Sequence, residues 1–297
     1  MTTTEAKAPA PTARSKPQGQ IAHFTARLTA QKLAMLGFSI LAVLVLSALT
    51  APWIIRQDPN VTDLNSVLLP PGSDGHLLGT DELGRDVLSR LLVGGRVSLL
   101  AAVQGTGIAL AIGVPLGLVA GFFGGLTDKV IMFITDTLMS FPALLLAMAI
   151  AGILDPNLTN AMIAIGIITA PQAIRLVRGS ALAVREETYI EAARSIGTSS
   201  LTIVYRHVLP NILAPLIVFT AILGGTVMLM ESGLSFIGLG VQPPESSWGS
   251  MLGTSFGYIS RAPWLAVFPG ALIALSVLAL NLLGDGIRDS IGKKVRR

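Results

Sequence analysis

The chain contains no cysteine. That excludes disulfides, thiolate zinc sites and cysteine nucleophiles, and it leaves the compartment open. Charge is scarce too: Asp, Glu, Lys and Arg make up 13% of the 297 residues, against roughly 25% in an average soluble domain. Most of the chain therefore never faces water. No Gly-x4-Gly-Lys-Ser/Thr loop occurs, so the chain lacks that phosphate cradle and its lysine, and any ATP chemistry must belong to partners. The three histidines are His23, His76 and His207. GTSFG at 253–257 matches the Gly-x-Ser-x-Gly nucleophile pattern, but that site needs a histidine after the serine, and none follows Ser255. The stretch reads as a Gly-rich outer loop. No catalytic residue, metal or cofactor is expected.

What the chain has instead is apolar length. Leu33 to Ile55 is an uncharged run of 23 residues, longer than the apolar stretch of a secretion leader. Uncharged or nearly uncharged runs follow at 97–127, 130–154, 156–174, 208–230 and 262–284. About 20 apolar residues cross a bilayer as a helix, so the reading is an all-α membrane protein with six transmembrane helices. The end of the 97–127 run, GFFGG, reads as a turn. Residues 1–27 carry too little apolar surface for a core and read as a disordered cytoplasmic tail. The organisation expected is a span plus outer loop over 28–96, a five-helix core over 97–285 containing a cytoplasmic loop at 175–211, and a basic tail at 286–297.

Charge sets the orientation. With the N-terminus inside, sixteen of the 21 Lys and Arg fall on inner segments and five on outer ones. This bias predicts both termini in the cytoplasm.

The largest inner segment then holds EAARSIGTSSLTIVYRHVLPN, residues 191–211. Tyr189, Ala192, Ala193 and Ile196 share one helix face. Gly197 breaks that helix, and Thr198-Ser199-Ser200 offers an N-cap for a second. Leu201, Val204, Tyr205 and Val208 make the second stripe, and Pro210 ends it or starts the next span.

Other features have plainer readings. Gly113, Gly117, Gly121 and Gly125 recur every four residues, a spacing that lets helix backbones approach in lipid. Packing within the subunit is the main reading, contact with a partner the alternative. Asp136 sits inside a run, near the inner interface and Lys129, and reads as a solvated or hydrogen-bonded helix end. A proton relay would need buried ionisable partners, and none is visible. Phe141-Pro142 can kink its helix. Leu83, Val87, Leu88 and Leu91 point to an amphipathic helix on the outer interface. The outer acids Asp58, Asp63, Asp74, Asp81, Glu82 and Asp86 read as a solvated face or a docking surface.

These motifs carry a resemblance. Glu191-Ala192-Ala193, Gly197 and Leu209-Pro210 match the EAA-x3-Gly-x9-Ile-x-Leu-Pro loop of permease subunits of binding-protein-dependent ABC importers, with His207 at the Ile position. LLGTDELGRDVLSRLLVGGRVSL (77–99) and ESGLSFIGLGVQPPESSWGSML (231–252) resemble the second, "C", permease of the dipeptide and oligopeptide (peptide/nickel) branch. The resemblance covers roughly residues 27–290. It implies a type I ABC importer permease fold in the bacterial inner membrane, with an EAA loop (Glu191, Ala192, Ala193, Gly197, His207, Leu209, Pro210) that couples to ATPases. The partners implied are a second homologous permease, two ATPase subunits, an outer solute-binding protein, peptide cargo and the lipid bilayer, with no nucleic acid. Asp81, Glu82, Asp86 and Trp248 are the expected binding-protein docking residues, and Gly113, Gly117 and Gly121 the helix-packing ones. Nickel, glutathione or another small cargo is the alternative within the class. An autonomous secondary transporter or channel is the rival outside it, and would require mid-membrane ionisable pairs and inverted repeats.

Overall fold

The computed structural model describes residues 29, 31–55 and 57–292; the tail expected over 1–27 and the basic residues from Lys293 onward lie outside the described residues. Helices dominate: α1 (Lys32–Ile54), α2 (Val87–Phe123), α3 (Gly125–Met139), α4 (Ala143–Ile153), α5 (Leu158–Arg185), α6 (Thr188–Ser195), α7 (Ser200–Ile203), α8 (Leu209–Phe236), α9 (Trp248–Ser255) and α10 (Trp264–Gly292). A π-helical turn, Val204–Val208, joins α7 to α8.

Among the described residues, five helices are long and apolar enough to cross a membrane: α1, α2, α5, α8 with its leading turns, and α10. A sixth span is reached when the pair α3 and α4, bent by 92° at Ser140–Pro142, is counted as one broken span. The bend falls where Pro142, as the N-cap of α4, has no N–H to continue a helical ladder. Counted that way the bundle has an even number of spans, so its first and last spans end on the same side, as the charge bias predicts.

Several boundaries move from the expected ones. The amphipathic helix expected on the outer interface does not form as a separate element. Asp86 caps α2 by accepting from the Ser89 N–H at 2.8 Å, so Val87 already opens the second span. Val87 and Leu91 pack against protein, not lipid. The GFFGG turn narrows to Gly124 and Gly125, the two residues with positive φ; Gly121 to Phe123 stay helical. α5 runs on to Arg185, which shortens the cytoplasmic loop from its expected start at 175. α10 continues through Arg288, so the expected tail from 286 begins as helix. GTSFG is no loop: Gly253 to Ser255 end α9 and Phe256 opens a 3-10 turn.

α5 is the central post, with α2 laid along it. The contact is glycine on small residues. A Cβ on Gly113 would overlap that of Ala173, one on Gly117 would come 2.7 Å from Val177 Cβ, and one on Gly121 2.6 Å from the Arg178 carbonyl oxygen. Backbones this close replace the hydrophobic drive that lipid cannot supply. Gly125 has open space and belongs to the turn. Three core clusters stack along the bundle: alanines of α2, α4 and α5 against Leu223 and Val227, an outer group around Trp248 and Met228, and an inner group around Val177, Ile190, Ile203 and Val208.

Candidate functional site

The cytoplasmic face carries the first site. α6 ends at Ser195, and Gly197 follows with φ +81°. Its N–H donates to the Arg194 carbonyl at 2.9 Å and Thr198 N–H to the Ala193 carbonyl at 3.1 Å, which is a Schellman stop. Ser199 caps α7 by accepting from the Thr202 N–H. The second helix does not stop at Pro210: α7, the π turn and α8 run on without a break. Pro210 lacks the N–H that the Arg206 carbonyl would otherwise receive, and the wider π turn sits directly before it.

The helix faces divide differently from the sequence expectation. Ile190, Ala193, Ile203, Val204 and Val208 turn inward and form the inner core with α5. Of the two expected stripes, only Ala193, Val204 and Val208 are buried. Tyr189, Ala192, Ile196, Leu201 and Tyr205 face outward, with Ile196 82% and Tyr205 72% exposed. Glu191 is exposed, and its carboxylate has no partner among the described residues. The His207 ring lies 6.1 Å from that of Tyr189. Leu209 is half-buried beside the inner core, and Pro210 is exposed. The result is a ridge of exposed apolar residues on a hydrogen-bonded two-helix support, with the exposed acid Glu191 beside it.

The outer face differs from expectation. Asp81, Asp86 and Trp248, expected to meet a docking partner, are buried, and Glu82 is largely covered. Asp81 pairs with Arg85 (2.6 Å) and Arg90 (3.4 Å), Glu82 with Arg85 (2.8 Å), and Asp86 with His76 (3.0 Å). Trp248 packs over Gly95 and donates its indole N–H to the Leu91 carbonyl at 2.9 Å. These side chains tie the outer loop and α9 to the spans, because charges in a covered site must satisfy one another where open water cannot reach them. In the same loop the Asp63 carboxyl is held below the usual carboxylate range, first by the Ser66 hydroxyl and then by the Asn65 backbone N–H. Asp58, Asp74 and Glu245 remain exposed.

Two sets of polar groups lie within the spans. Asp136, near the end of α3, is hydrogen-bonded as expected, and its partner is Arg175 of α5, 39 positions along, which donates to it at 2.7 Å. One turn nearer the cytoplasm, Arg178 grips both oxygens of Asp128 at 2.5 and 2.7 Å. Glu231, fully buried near the outer end of α8, accepts from Ser235 Oγ at 2.7 Å. Ser98 and Ser247 also face it, and Ser98 Oγ accepts from the Trp248 N–H. Sequence reading passed over Glu231 because it falls just past the apolar run that ends at Met230. The signal available was an acid flanked by Ser232 and Ser235 in a helix otherwise without charge.

Comparison with known proteins agrees with this architecture. The family model described as "Binding-protein-dependent transport system inner membrane component" matches residues 113–297. "N-terminal TM domain of oligopeptide transport permease C" matches residues 19–71. The probable D,D-dipeptide transport system permease protein DdpC of Escherichia coli K12 is 45% identical, covering 86% of this chain and 85% of the relative. The di/tripeptide transport system permease protein DppC of Pseudomonas aeruginosa is 42% identical, over 89% and 88%. The glutathione transport system permease protein GsiD of Escherichia coli O6:K15:H31 is also 42% identical, over 92% and 90%. Among solved structures, an inward-facing form of the MetNI methionine ABC transporter matches the fold with a TM-score of 0.58 and 20% identity, over 68% of this chain and 96% of that one. The chain is therefore a multi-pass inner-membrane permease subunit, and it belongs to the binding-protein-dependent transport system inner membrane component family.

Proposed function

We propose that this chain forms half of the path of an ATP-driven importer for di- and oligopeptides and takes its power stroke through the helix pair 188–210. A second homologous permease supplies the other half. Two ATPase subunits sit below and hydrolyse the nucleotide, since no phosphate loop exists in this chain. A solute-binding protein delivers cargo to the outer face, where the exposed acids Asp58, Asp74 and Glu245 are open to it, in place of the inward-turned Asp81, Asp86 and Trp248.

The observation that carries this reading is the cytoplasmic ridge. Ile196, Leu201 and Tyr205 are exposed on a helix pair that is continuous with a membrane-crossing helix. Apolar side chains grouped on a surface mark an interaction site. The Schellman stop at Gly197 and the unbroken run from α7 into α8 connect that ridge directly to a membrane-crossing helix. The relatives' names point to dipeptides, and the glutathione permeases keep a small γ-linked peptide as the second reading of the cargo.

Reconstitution tests the proposal. The chain, its partner permease, the two ATPases and the binding protein are placed in vesicles, and uptake of labelled dipeptides and of glutathione is followed with and without ATP. ATP-dependent dipeptide uptake that needs every component is expected. Uptake by this chain alone, driven by an ion gradient, would defeat the proposal in favour of a secondary transporter.

A further inference from the structure

Two ion pairs join α3 to α5, and they differ in cover. The Arg178 and Asp128 side chains are 30% and 19% exposed, those of Arg175 and Asp136 47% and 57%. Arg175 lies 17 residues past Leu158, about 26 Å along α5 from its outer end at 1.5 Å per residue. That puts the pair toward the inner edge of a hydrocarbon layer about 30 Å thick. Ionisable groups inside spans turn to a water-filled cavity or to protein.

The contacts of the pair favour water or a polar solute. Arg175 spends one Nη2 bond on Asp136 Oδ1. Its Nε and Nη1, and Asp136 Oδ2, have no partner among the described residues. An apolar neighbour sealed over them would strand those groups, whereas water or a passing polar molecule satisfies them.

The backbone beside the pair points the same way. The Ser140 N–H closes on the Asp136 carbonyl at 3.0 Å, and the chain then bends by 92° into α4. Phe141, Pro142 and Ala143 are all exposed in this chain, as is Met139 before them. Irregular backbone at membrane depth is tolerated only where protein covers it or where it lines a water-filled cavity.

We propose that the Arg175–Asp136 pair and the adjoining α3–α4 break line the cargo path, and that Asp136 meets cationic and Arg175 anionic groups of the solute passing through. Resting on the peptide reading above, those groups are the α-ammonium and α-carboxylate of a zwitterionic peptide and its charged side chains. The two residues already neutralise each other, so they can exchange partners with a molecule that carries both charges and re-form when it leaves.

The test has two arms on the assembled transporter. Single cysteines replace Thr137 and Ser140 in this cysteine-free chain, and a charged, water-soluble thiosulfonate is applied with and without ATP and vanadate. Labelling at a rate that changes severalfold between the two states is expected. Labelling only by a lipid-soluble maleimide, or none, overturns the path assignment. In vesicles, Asp136→Asn should lower uptake of lysyl dipeptides severalfold relative to aspartyl ones, Arg175→Gln should do the reverse, and Asp128→Asn should affect both alike. Equal loss of both cargoes in all three variants overturns the cargo contact while leaving the peptide reading intact. A wild-type transporter that carries neither peptide overturns the peptide reading and the assignment of charged termini together, and the labelling arm still decides whether the break lines the path.

Discussion

The Asn211 side-chain amide donates to the Tyr189 phenol oxygen at 3.1 Å, tying the first cytoplasmic helix to the base of α8. The same amide group holds the His207 carbonyl at 2.7 Å, inside the π turn. The two cytoplasmic helices are thereby braced against each other at the root of a span. Asn211→Ala removes the brace at an exposed site, so the expected stability cost is small, about 1 kcal/mol. Coupling should suffer more than stability. In reconstituted transporter, cargo imported per ATP hydrolysed should fall while the amount of inserted chain stays constant. An unchanged ratio would show that the brace transmits nothing.

Gly197 adopts φ +81°, and a Cβ at that position would meet nothing within 4 Å, so any penalty at this site in the isolated chain is conformational. Gly197→Val should cost roughly 1–2 kcal/mol from the left-handed backbone alone, and Gly197→Asn less, since Asn tolerates that region. Both should insert normally. Binding of the ATPases to purified permease, followed by pull-down, should weaken in Gly197→Asn and weaken further in Gly197→Val. Equal binding in both variants and the wild type would remove Gly197 from the docking surface.

The α2–α5 contact has no room for a methyl group at Gly117. Gly117→Ala forces the Val177 side chain or the helices apart and should lower stability by about 1–3 kcal/mol. Gly179→Ala, at an open position on α5, should be neutral or slightly stabilising. Thermal unfolding of the two full-length variants in detergent makes the comparison, and equal melting temperatures would contradict the packing.

Glu231 holds α8 to the serines of α2 and α9 near the outer face. Glu231→Leu leaves the buried hydroxyls of Ser98, Ser235 and Ser247 without their acceptor, at about 1–3 kcal/mol; Glu231→Gln keeps an acceptor and should cost less. Proteolysis from outside should cut the 238–262 segment faster in the Leu variant than in the Gln variant. Identical cutting would mean that the carboxylate does not anchor α9.

Sidedness is checked by single cysteines. An impermeant thiol reagent applied to intact cells should label Asp74→Cys and Glu245→Cys and leave Ser199→Cys untouched. Labelling of position 199 from outside would invert the topology.

Much of this protein is set by one-dimensional pattern. Apolar length placed the spans, because a helix must be about 20 residues long to cross hydrocarbon wherever its neighbours lie. The asymmetry of Lys and Arg oriented them, and Gly197 and Ser199 marked the cytoplasmic turn, because backbone φ and capping are local properties. The four-residue spacing of Gly113, Gly117 and Gly121 showed a close contact but could not name Ala173 and Val177 as the surface it meets. Which side of each cytoplasmic helix would be buried depended on the packing against α5, and so Ala193 and Val204 turned inward while Tyr189 and Leu201, expected to share their faces, turned outward. Charge alone could not separate a docking acid from a structural one. Asp81 and Asp86 look like surface residues until Arg85, Arg90 and His76 are folded around them, and Asp136 looks solitary until Arg175 arrives from a helix 39 positions away. Only the tertiary structure decides such pairings, because Coulomb attraction and hydrogen bonding act over a few ångströms of space, whatever the separation along the chain.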